Sequence, residues 1–142
     1  MKKSNKPPTA TVSYHGDLRS EATHIRSGSK IQNDAPTDNH GKGMKFSPTD
    51  MMATSLATCM LTVMGIRANK MEGDLKGSTA EVFKYMASNP RWMEKVEVRL
   101  TLKGQFSEDE RALLERIAIK CPVARSFHPD VEQVSHFTWI DT

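Results

Sequence analysis

The chain has 142 residues, of which 37% are apolar and 26% charged, with a formal net charge of +3. This length predicts one domain, since a chain of about 150 residues buries roughly 68–70% of its unfolded surface. The 20 basic and 17 acidic side chains are spread too evenly for a nucleic-acid-binding stripe. We find neither an apolar run of about 18 residues nor an apolar N-terminal signal core, and therefore expect a cytoplasmic protein without a membrane partner.

The N-terminal part of the chain predicts a lead-in followed by three strands. Residues 1–8 hold three lysines and two prolines, a composition that predicts disorder. A single domain is expected over residues 9–142. Within it, β-branched residues between Gly-containing turns predict short strands over residues 9–14, 18–26 and 29–32.

A long loop and a helix start follow. Residues 33–46 combine two glycines, one proline and several Asp and Asn residues, which predicts a loop of functional or mobile character. Ser47 at the N-cap, Pro48 at the first helical position and Asp50 at the third predict a helix that runs to about residue 70. Because its apolar residues occupy most sides, we expect a buried central helix.

The C-terminal half predicts a hairpin, a second helix and a closing strand. Residues 75–86 alternate partly and residues 92–102 alternate well between apolar and polar side chains, which predicts two paired strands. Ser107 and Glu110 form a capping-box pattern that begins a helix ending near residue 120. A helical turn over 123–127 and a strand over 133–140 complete an α+β order without internal repeats.

The two cysteines are the candidate chemical groups. Cys59 lies in the middle of the central helix and Cys121 at the end of the second helix. Each fits the role of a small buried hydrophobe, and a redox pair is the functional alternative. A structural disulfide is disfavoured in a reducing compartment. We expect no metal and no cofactor, because the chain has no CxxC motif and its five histidines lack ligand spacing.

A redox pair makes two demands on the fold. The attacking sulfur reacts as a thiolate, which needs a nearby cation, and a cysteine in the middle of a helix receives no help from the helix N-terminus. The second sulfur has to come within disulfide reach, about 5.5–6 Å between Cα atoms. Both demands concern tertiary structure.

The helix and the second cysteine together resemble a known family. The segment SPTDMMATSLATC, which ends at Cys59, and the segment KCPV, which contains Cys121, are similar to the OsmC/Ohr family. This family comprises osmotically inducible protein C and the organic hydroperoxide resistance proteins. Its pattern places the first cysteine eleven residues after the helix proline, as Cys59 follows Pro48, and a proline after the second cysteine. The resemblance extends over residues 9–139.

The resemblance implies an OsmC-like α+β fold in which strongly curved antiparallel sheets wrap two central helices of an intertwined homodimer. It implies a thiol peroxidase that reduces organic hydroperoxides, with hydrogen peroxide as a further candidate substrate, in oxidative stress defence. Cys59 then attacks the peroxide, Cys121 resolves the product as an intramolecular disulfide, and a dithiol reductant restores the pair.

The chain departs from this pattern at the residues that surround the attacking sulfur. Peroxidatic members have a Glu directly after the helix proline, and it holds an Arg over the sulfur. Here that position is Thr49 and the acid follows at Asp50. Since one residue turns a helical side chain by about 100°, Asp50 is either the orienting acid or a first-turn acid favoured by the helix dipole.

The cation has several candidates. Arg19 is the nearest match to the Arg of the hydroperoxide resistance branch, and Arg26, Lys42 and Lys45 are the alternatives. These departures also support a second hypothesis. In it, the chain is a non-catalytic OsmC-like domain that binds a small hydrophobic or electrophilic ligand at the dimer cleft.

Overall fold

The computed structural model describes residues 2–141. Met1, in the predicted lead-in, and Thr142, the last residue of the predicted domain, lie outside the described residues. Residues 2–9 form no helix or strand and are exposed to solvent. The chain folds into two compact units, Met1–Met51 and Met52–Thr142, and the single domain over residues 9–142 stays a prediction.

The first unit contains a three-stranded antiparallel sheet in the order β1-β2-β3. The strands are Ala10–Gly16 (β1), Arg19–His24 (β2) and Lys30–Asp34 (β3). The predicted strands are therefore confirmed, with their ends shifted by one or two residues. Asp17 and Leu18 connect β1 to β2 and both have positive φ, as a tight two-residue hairpin turn requires.

The predicted loop is shorter than expected and folds back on itself. Its first two residues belong to β3, and a 3₁₀ helix occupies Thr37–Asn39. The backbone N–H of Gly43 donates to the carbonyl of Ala35 at 3.1 Å. A Cβ at Gly41 would lie 1.7 Å from that same carbonyl oxygen, so the close backbone approach requires glycine there.

The helix α1 spans Pro48–Ala68 and begins at a reciprocal capping box. Ser47 Oγ accepts the N–H of Asp50 at 3.0 Å, and Asp50 Oδ2 accepts the N–H of Ser47 at 2.9 Å. This confirms the predicted helix start. The side chains that α1 buries lie on one side of it: Ala53, Leu56, Ala57, Met60, Met64 and Ala68.

The expectation of a helix buried on most sides is wrong for the single chain. Met52 is 42% exposed and Ile66 is 60% exposed. The reason is that the core of the second unit covers one side of α1 and leaves the other uncovered. Apolar side chains on a helix thus indicate that the helix surface is covered, but they do not indicate whether the same chain or another molecule covers it.

The second unit contains a three-stranded sheet in the order β4-β5-β6. The strands are Thr79–Ala87 (β4), Trp92–Leu102 (β5) and Glu132–Trp139 (β6). Strand β4 runs antiparallel to β5, whereas β6 runs parallel to β5. The sheet is therefore mixed, and the expectation of purely antiparallel sheets is corrected.

The parallel pairing follows from the connection between β5 and β6. This segment contains the helices Glu108–Ala118 (α2) and Pro122–Ser126 (α3), and a parallel pair requires such a long crossover. The capping box predicted at Ser107 and Glu110 is present at the start of α2. The predicted helical turn is α3.

The core lies in the second unit, on the inner face of β5. Val96, Val98, Leu100 and Leu102 are each at most 1% exposed and alternate with the polar side chains of the other face. Leu114 of α2 and Met64 of α1 are fully buried in the same cluster. The alternation predicted for residues 92–102 is confirmed, including the bounds of the strand.

Within residues 2–141, α1 is the one helix long and apolar enough to cross a membrane. This differs from the expectation that the chain holds no apolar run of about 18 residues. The difference arises because only Asp50 and Arg67 interrupt α1 with charge, while its hydroxyl residues count little in mean hydropathy. A helix packed on a protein core passes the same test of length and hydropathy, so this finding by itself is not evidence for a membrane partner.

Candidate functional site

The two thiols meet within the second unit. Cys59 on α1 is half-buried, Cys121 before α3 is 1% exposed, and both are free cysteines. The side chain of Cys59 lies close enough to Cys121 to change its pKa. The fold therefore brings together two side chains that are 62 residues apart in the sequence.

The backbone around Cys121 is fixed from both directions. Its N–H donates to the carbonyl of Ala118 at 3.2 Å, and its own carbonyl accepts the N–H of Arg125 at 3.0 Å. Pro122 occupies the first position of α3, where the absence of a backbone N–H costs nothing. The thiol thus sits at a defined junction between α2 and α3.

The environment distinguishes the two sulfurs. Burial raises the pKa of the Cys121 thiol, and its interaction with the Cys59 side chain raises it further, while the backbone N–H groups of Ala124 and Val123 partly oppose the rise. A buried thiol with a raised pKa stays protonated at neutral pH. Cys59 is the more accessible of the pair, so an external molecule reaches it first.

Arg19 lies at the start of β2, in the first unit, and pairs with Asp34 at the end of β3. Its Nε donates to Oδ1 at 2.7 Å and its Nη2 to Oδ2 at 2.9 Å. Asp34 is 1% exposed and the Arg19 side chain is 25% exposed. The hydrogen bond from Arg19 lowers the pKa of Asp34, and the same bond raises the pKa of Arg19, so both groups are charged at neutral pH.

Asp50 is placed differently from the expectation for an orienting acid. Its carboxylate accepts the N–H of Ser47 in the capping box, whereas the bidentate partner of Arg19 in the same unit is Asp34. The first-turn interpretation of Asp50 is thus directly observed. A role for Asp50 in catalysis stays a prediction.

Asp34 is a residue that the sequence reasoning missed, although a signal was available. Thr23 pairs with Lys30 across the turn between β2 and β3, and this register makes Arg19 and Asp34 cross-strand partners. Placing the turn and counting outward along both strands would have found the pair. Opposite charges at such positions stabilise each other.

The other candidate cations are more exposed. Arg26 follows β2, and Lys42 and Lys45 lie in the loop before α1, all three with exposed side chains.

Among residues 2–141, no group of three His, Cys, Asp or Glu side chains is placed to hold a metal ion.

Comparison with known proteins identifies the family. The model of the OsmC-like protein family matches residues 40–134, which include both cysteines. The chain belongs to the OsmC-like family. Its fold, two sheets with two main helices in an α+β arrangement, is that of OsmC-like proteins.

Solved structures show how far this likeness extends. A Psychrobacter arcticus 273-4 protein named for osmotic stress and detoxification responses is 46% identical, with 94% of this chain and 97% of that chain covered and a TM-score of 0.90. An organic hydroperoxide resistance protein OsmC of Legionella pneumophila is 18% identical, with 94% and 99% covered and a TM-score of 0.68. An organic hydroperoxide resistance protein of Elizabethkingia anophelis is 13% identical, with 96% and 100% covered and a TM-score of 0.71.

The last two likenesses show the fold alone, because their identity is low. No curated protein matched the chain. The family and the paired thiols are therefore the starting point for function.

Proposed function

We propose that this OsmC-like protein is a thiol-dependent peroxidase that reduces organic hydroperoxides in oxidative stress defence. The observation that carries the proposal is the pairing of the half-buried Cys59 with the buried Cys121 inside one compact unit. Two relatives of the same fold are named organic hydroperoxide resistance proteins, which supports this choice of substrate class.

In the first step, the Cys59 thiolate attacks the terminal oxygen of the hydroperoxide. An S–O bond forms, the O–O bond breaks, and the alkoxide leaves and takes up a proton as the alcohol. Cys59 is oxidised by two electrons to the sulfenic acid. The half-buried position of Cys59 suits this role, because the sulfur is open to substrate and partly shielded from water.

In the second step, the Cys121 sulfur attacks the sulfenic sulfur of Cys59, and the disulfide forms as water leaves. The raised pKa of Cys121 keeps this thiol protonated until the sulfenic acid forms beside it. An external dithiol then reduces the disulfide by two thiol–disulfide exchanges and is itself oxidised to a disulfide. The proposal therefore places the protein in a reducing compartment, the cytoplasm.

Arg19 is the cation that the proposal assigns to the Cys59 thiolate, as the family resemblance implies. Its guanidinium is charged and oriented by a bidentate partner. The lysines Lys42 and Lys45 lack the planar fork of Arg, and their exposure leaves them without a fixed direction. These observations favour Arg19 over Lys42 and Lys45, and Arg26 is exposed after the end of β2.

We also propose a homodimer. Val12 and Tyr14 on β1 are each 68% exposed, and Ile31 on β3 is 50% exposed. Val12, Ala22 and Ile31 lie in one row across the sheet, so these side chains form a continuous apolar strip. A second copy of the chain that covers this strip would remove it from water, which is the usual reason for such a surface.

The test is intact mass spectrometry after one equivalent of tert-butyl hydroperoxide, compared with hydrogen peroxide. We expect the wild type to lose two hydrogens, Cys121→Ser to gain one oxygen, and Cys59→Ser to stay unchanged. Turnover with a dithiol should require both cysteines. Peroxide consumption that survives in Cys59→Ser would remove the attacking role from this residue.

The alternative function is a non-catalytic domain that binds a small hydrophobic or electrophilic ligand. The specific observation in its favour is Thr49, at the position where the family pattern has Glu. This alternative would be supported over the peroxidase if the wild-type mass stays unchanged at excess hydroperoxide. The control is a thiol assay showing that both cysteines are reduced before the hydroperoxide is added.

A further inference from the structure

A cleft opens on the outer face of the β4–β6 sheet, the face opposite the core. Its volume is about 390 Å³, and the residues that line it are Tyr85, Trp92, Glu94, Lys95, Asp130 and Glu132. All of them belong to the second unit, and the volume lies in the range of small-molecule sites, roughly 300–1,000 Å³. Cys59 packs against the core, so the cleft is separate from the thiols and independent of the proposed function.

A β-bulge brings the two aromatic side chains of the cleft to the same face. The register between β4 and β5 shifts by one residue at Glu94, which has no partner on β4. Because side chains alternate along a regular strand, one extra residue reverses the alternation. Met93 is therefore buried at 5% exposure, and Trp92 joins Tyr85 on the outer face. Bulges commonly re-aim a side chain in this way beside a binding or active site.

The ring of Tyr85 already holds a cation that belongs to the chain itself. Lys95 Nζ lies 4.9 Å from the ring centroid, within the distance of about 6 Å typical of cation–π contacts. Tyr85 Oη donates to Glu97 Oε1 at 3.2 Å, and this hydrogen bond fixes the tilt of the ring. Tyr85 is 40% exposed and Trp92 38% exposed, so part of each ring is open to a ligand.

Carboxylates give the cleft a negative charge. Glu94, Asp130 and Glu132 carry three negative charges against the one positive charge of Lys95. Asp130 lies 3.8 Å from His128, whereas Glu94 and Glu132 form no ion pair within residues 2–141. Aromatic faces beside carboxylates suit an organic cation, since the rings attract its alkylated nitrogen and the carboxylates match its charge.

We propose that this cleft binds a small organic cation of the alkylammonium class. The ligand takes the place of the Lys95 ammonium over the Tyr85 ring, with Trp92 beside it and Glu94 and Glu132 matching its charge. Lys95 then turns toward Glu132, its cross-strand neighbour on β6. In the free protein Lys95 covers the ring, and its displacement sets the affinity.

The test titrates the full chain, labelled with ¹⁵N, with choline and with 3,3-dimethyl-1-butanol, which has the same shape without the charge. The chain has two tryptophans, so the indole N–H of Trp92 reports on the cleft. The indole N–H of Trp139, which donates to Glu115, is the internal reference. We expect choline to shift the Trp92 signal with a dissociation constant of about 1 mM or tighter. The neutral alcohol should bind about tenfold more weakly or worse.

The aromatic contacts and the displacement of Lys95 are tested by substitution. Tyr85→Leu should weaken choline binding about tenfold, because the cation loses a ring. Lys95→Met should strengthen it about fivefold, because the competing ammonium is gone and the aliphatic chain is kept. Phe83→Leu is the matched control and should bind as the wild type does. Its ring lies on the same face of β4 but is covered by Arg99, 4.2 Å from the centroid.

The carboxylates are tested in the same titration. Glu132→Gln should weaken choline binding about threefold to tenfold and reduce its dependence on salt. Glu81→Gln is the control, because Glu81 lies on β4 outside the cleft, and it should change neither quantity.

Three outcomes would overturn the proposal. They are equal binding of choline and the neutral alcohol, a choline shift larger at Trp139 than at Trp92, and no saturable shift at tenfold the expected dissociation constant. Weaker binding by Lys95→Met would overturn the displacement of this side chain. The comparison of the two ligands uses the wild type, so it decides the question even if Tyr85→Leu fails to fold.

Discussion

The β1–β3 sheet of the first unit and the β4–β6 sheet of the second have three strands each but differ in what covers them. On β5, every inward side chain from Val96 to Leu102 is at most 1% exposed. On β1, every residue but Gly16 is exposed. The second sheet is stabilised by a core within its own unit. Among residues 2–51 of the first unit, the buried residues are Asp34 and Ser47, both polar, so this sheet has no apolar core within the described part of its unit.

The two sheets nevertheless share one structural feature, an ion pair between an arginine and a nearly buried carboxylate. Each has a nearly buried carboxylate paired with an arginine, Asp34 with Arg19 and Glu97 with Arg99. In the second sheet the pair lies on the outer face of a strand that is already well packed. In the first it joins two strands to a loop, so its loss should affect local order more.

The largest expected contrast is in core packing. Leu100→Ala should lower the free energy of unfolding by about 2–5 kcal/mol, since it leaves a cavity in the β5 core. Val12→Ala on β1 should cost about 0.5 kcal/mol or less in the monomer. Urea unfolding at several protein concentrations measures both. Equal costs at the lowest concentration would contradict the contrast between the sheets.

A second experiment asks whether another copy covers the first sheet. Val12→Lys places a charge in the apolar strip, and we expect the dimer dissociation constant to rise about tenfold or more, equivalent to about 1.4 kcal/mol. Thr11→Lys, on the opposite face of β1, is the control. Sedimentation equilibrium distinguishes them, and similar constants for the two variants would argue against this strip as the interface.

Acid stability compares the two ion pairs. The pKa values of Asp34 and Glu97 are lowered, first of all by hydrogen bonds from Arg19 and Arg99. A lowered carboxyl pKa stabilises the fold above the ordinary value near 4, and this stabilisation is lost as the pH falls through the lowered value.

Asp34→Asn and Glu97→Gln should therefore each reduce the steepness with which the melting temperature falls between pH 5 and 2. Melting curves at intervals of half a pH unit measure this slope. A slope unchanged in both variants would mean that neither pair is linked to folding.

The smallest expected effect is at a helix cap. Ser107→Ala removes the side-chain acceptor of the α2 capping box and should cost about 1 kcal/mol. Thr58→Ala is the control, because its hydroxyl donates to a carbonyl of its own helix and its loss leaves no orphan N–H. If chemical denaturation shows that the two substitutions lower the free energy of unfolding equally, the capping role of Ser107 adds no stability beyond that of an ordinary hydroxyl within a helix.

Local signals predicted most of the elements. The strand Trp92–Leu102 was predicted with its bounds, because strict alternation and flanking breakers act within the segment. The capping box of α2 was predicted from Ser107 and Glu110, and the N-cap of α1 from Ser47, whereas the reciprocal bond from the Ser47 N–H to Asp50 was found only in the structure. The pairing of β6 with β5 was not, since strand direction depends on the course of the whole crossover.

For the candidate site too, some residues were predicted from the sequence and others were found only in the structure. The sequence supplied Cys59 and Cys121 as a pair by resemblance, and Arg19 as a cation. It did not supply Asp34, because a cross-strand partner is defined by register and not by proximity in the chain. It also assigned Asp50 two interpretations, of which the structure shows the helix cap.

By itself, the sequence determined the family, the element types and the residues capable of thiol chemistry, since these follow from local patterns and residue identity. Tertiary structure alone decided that the two sulfurs are neighbours, that Arg19 is held by Asp34, and that one sheet has a core while the other is exposed. Those features depend on contacts between segments far apart in the chain, for which local propensity has no signal.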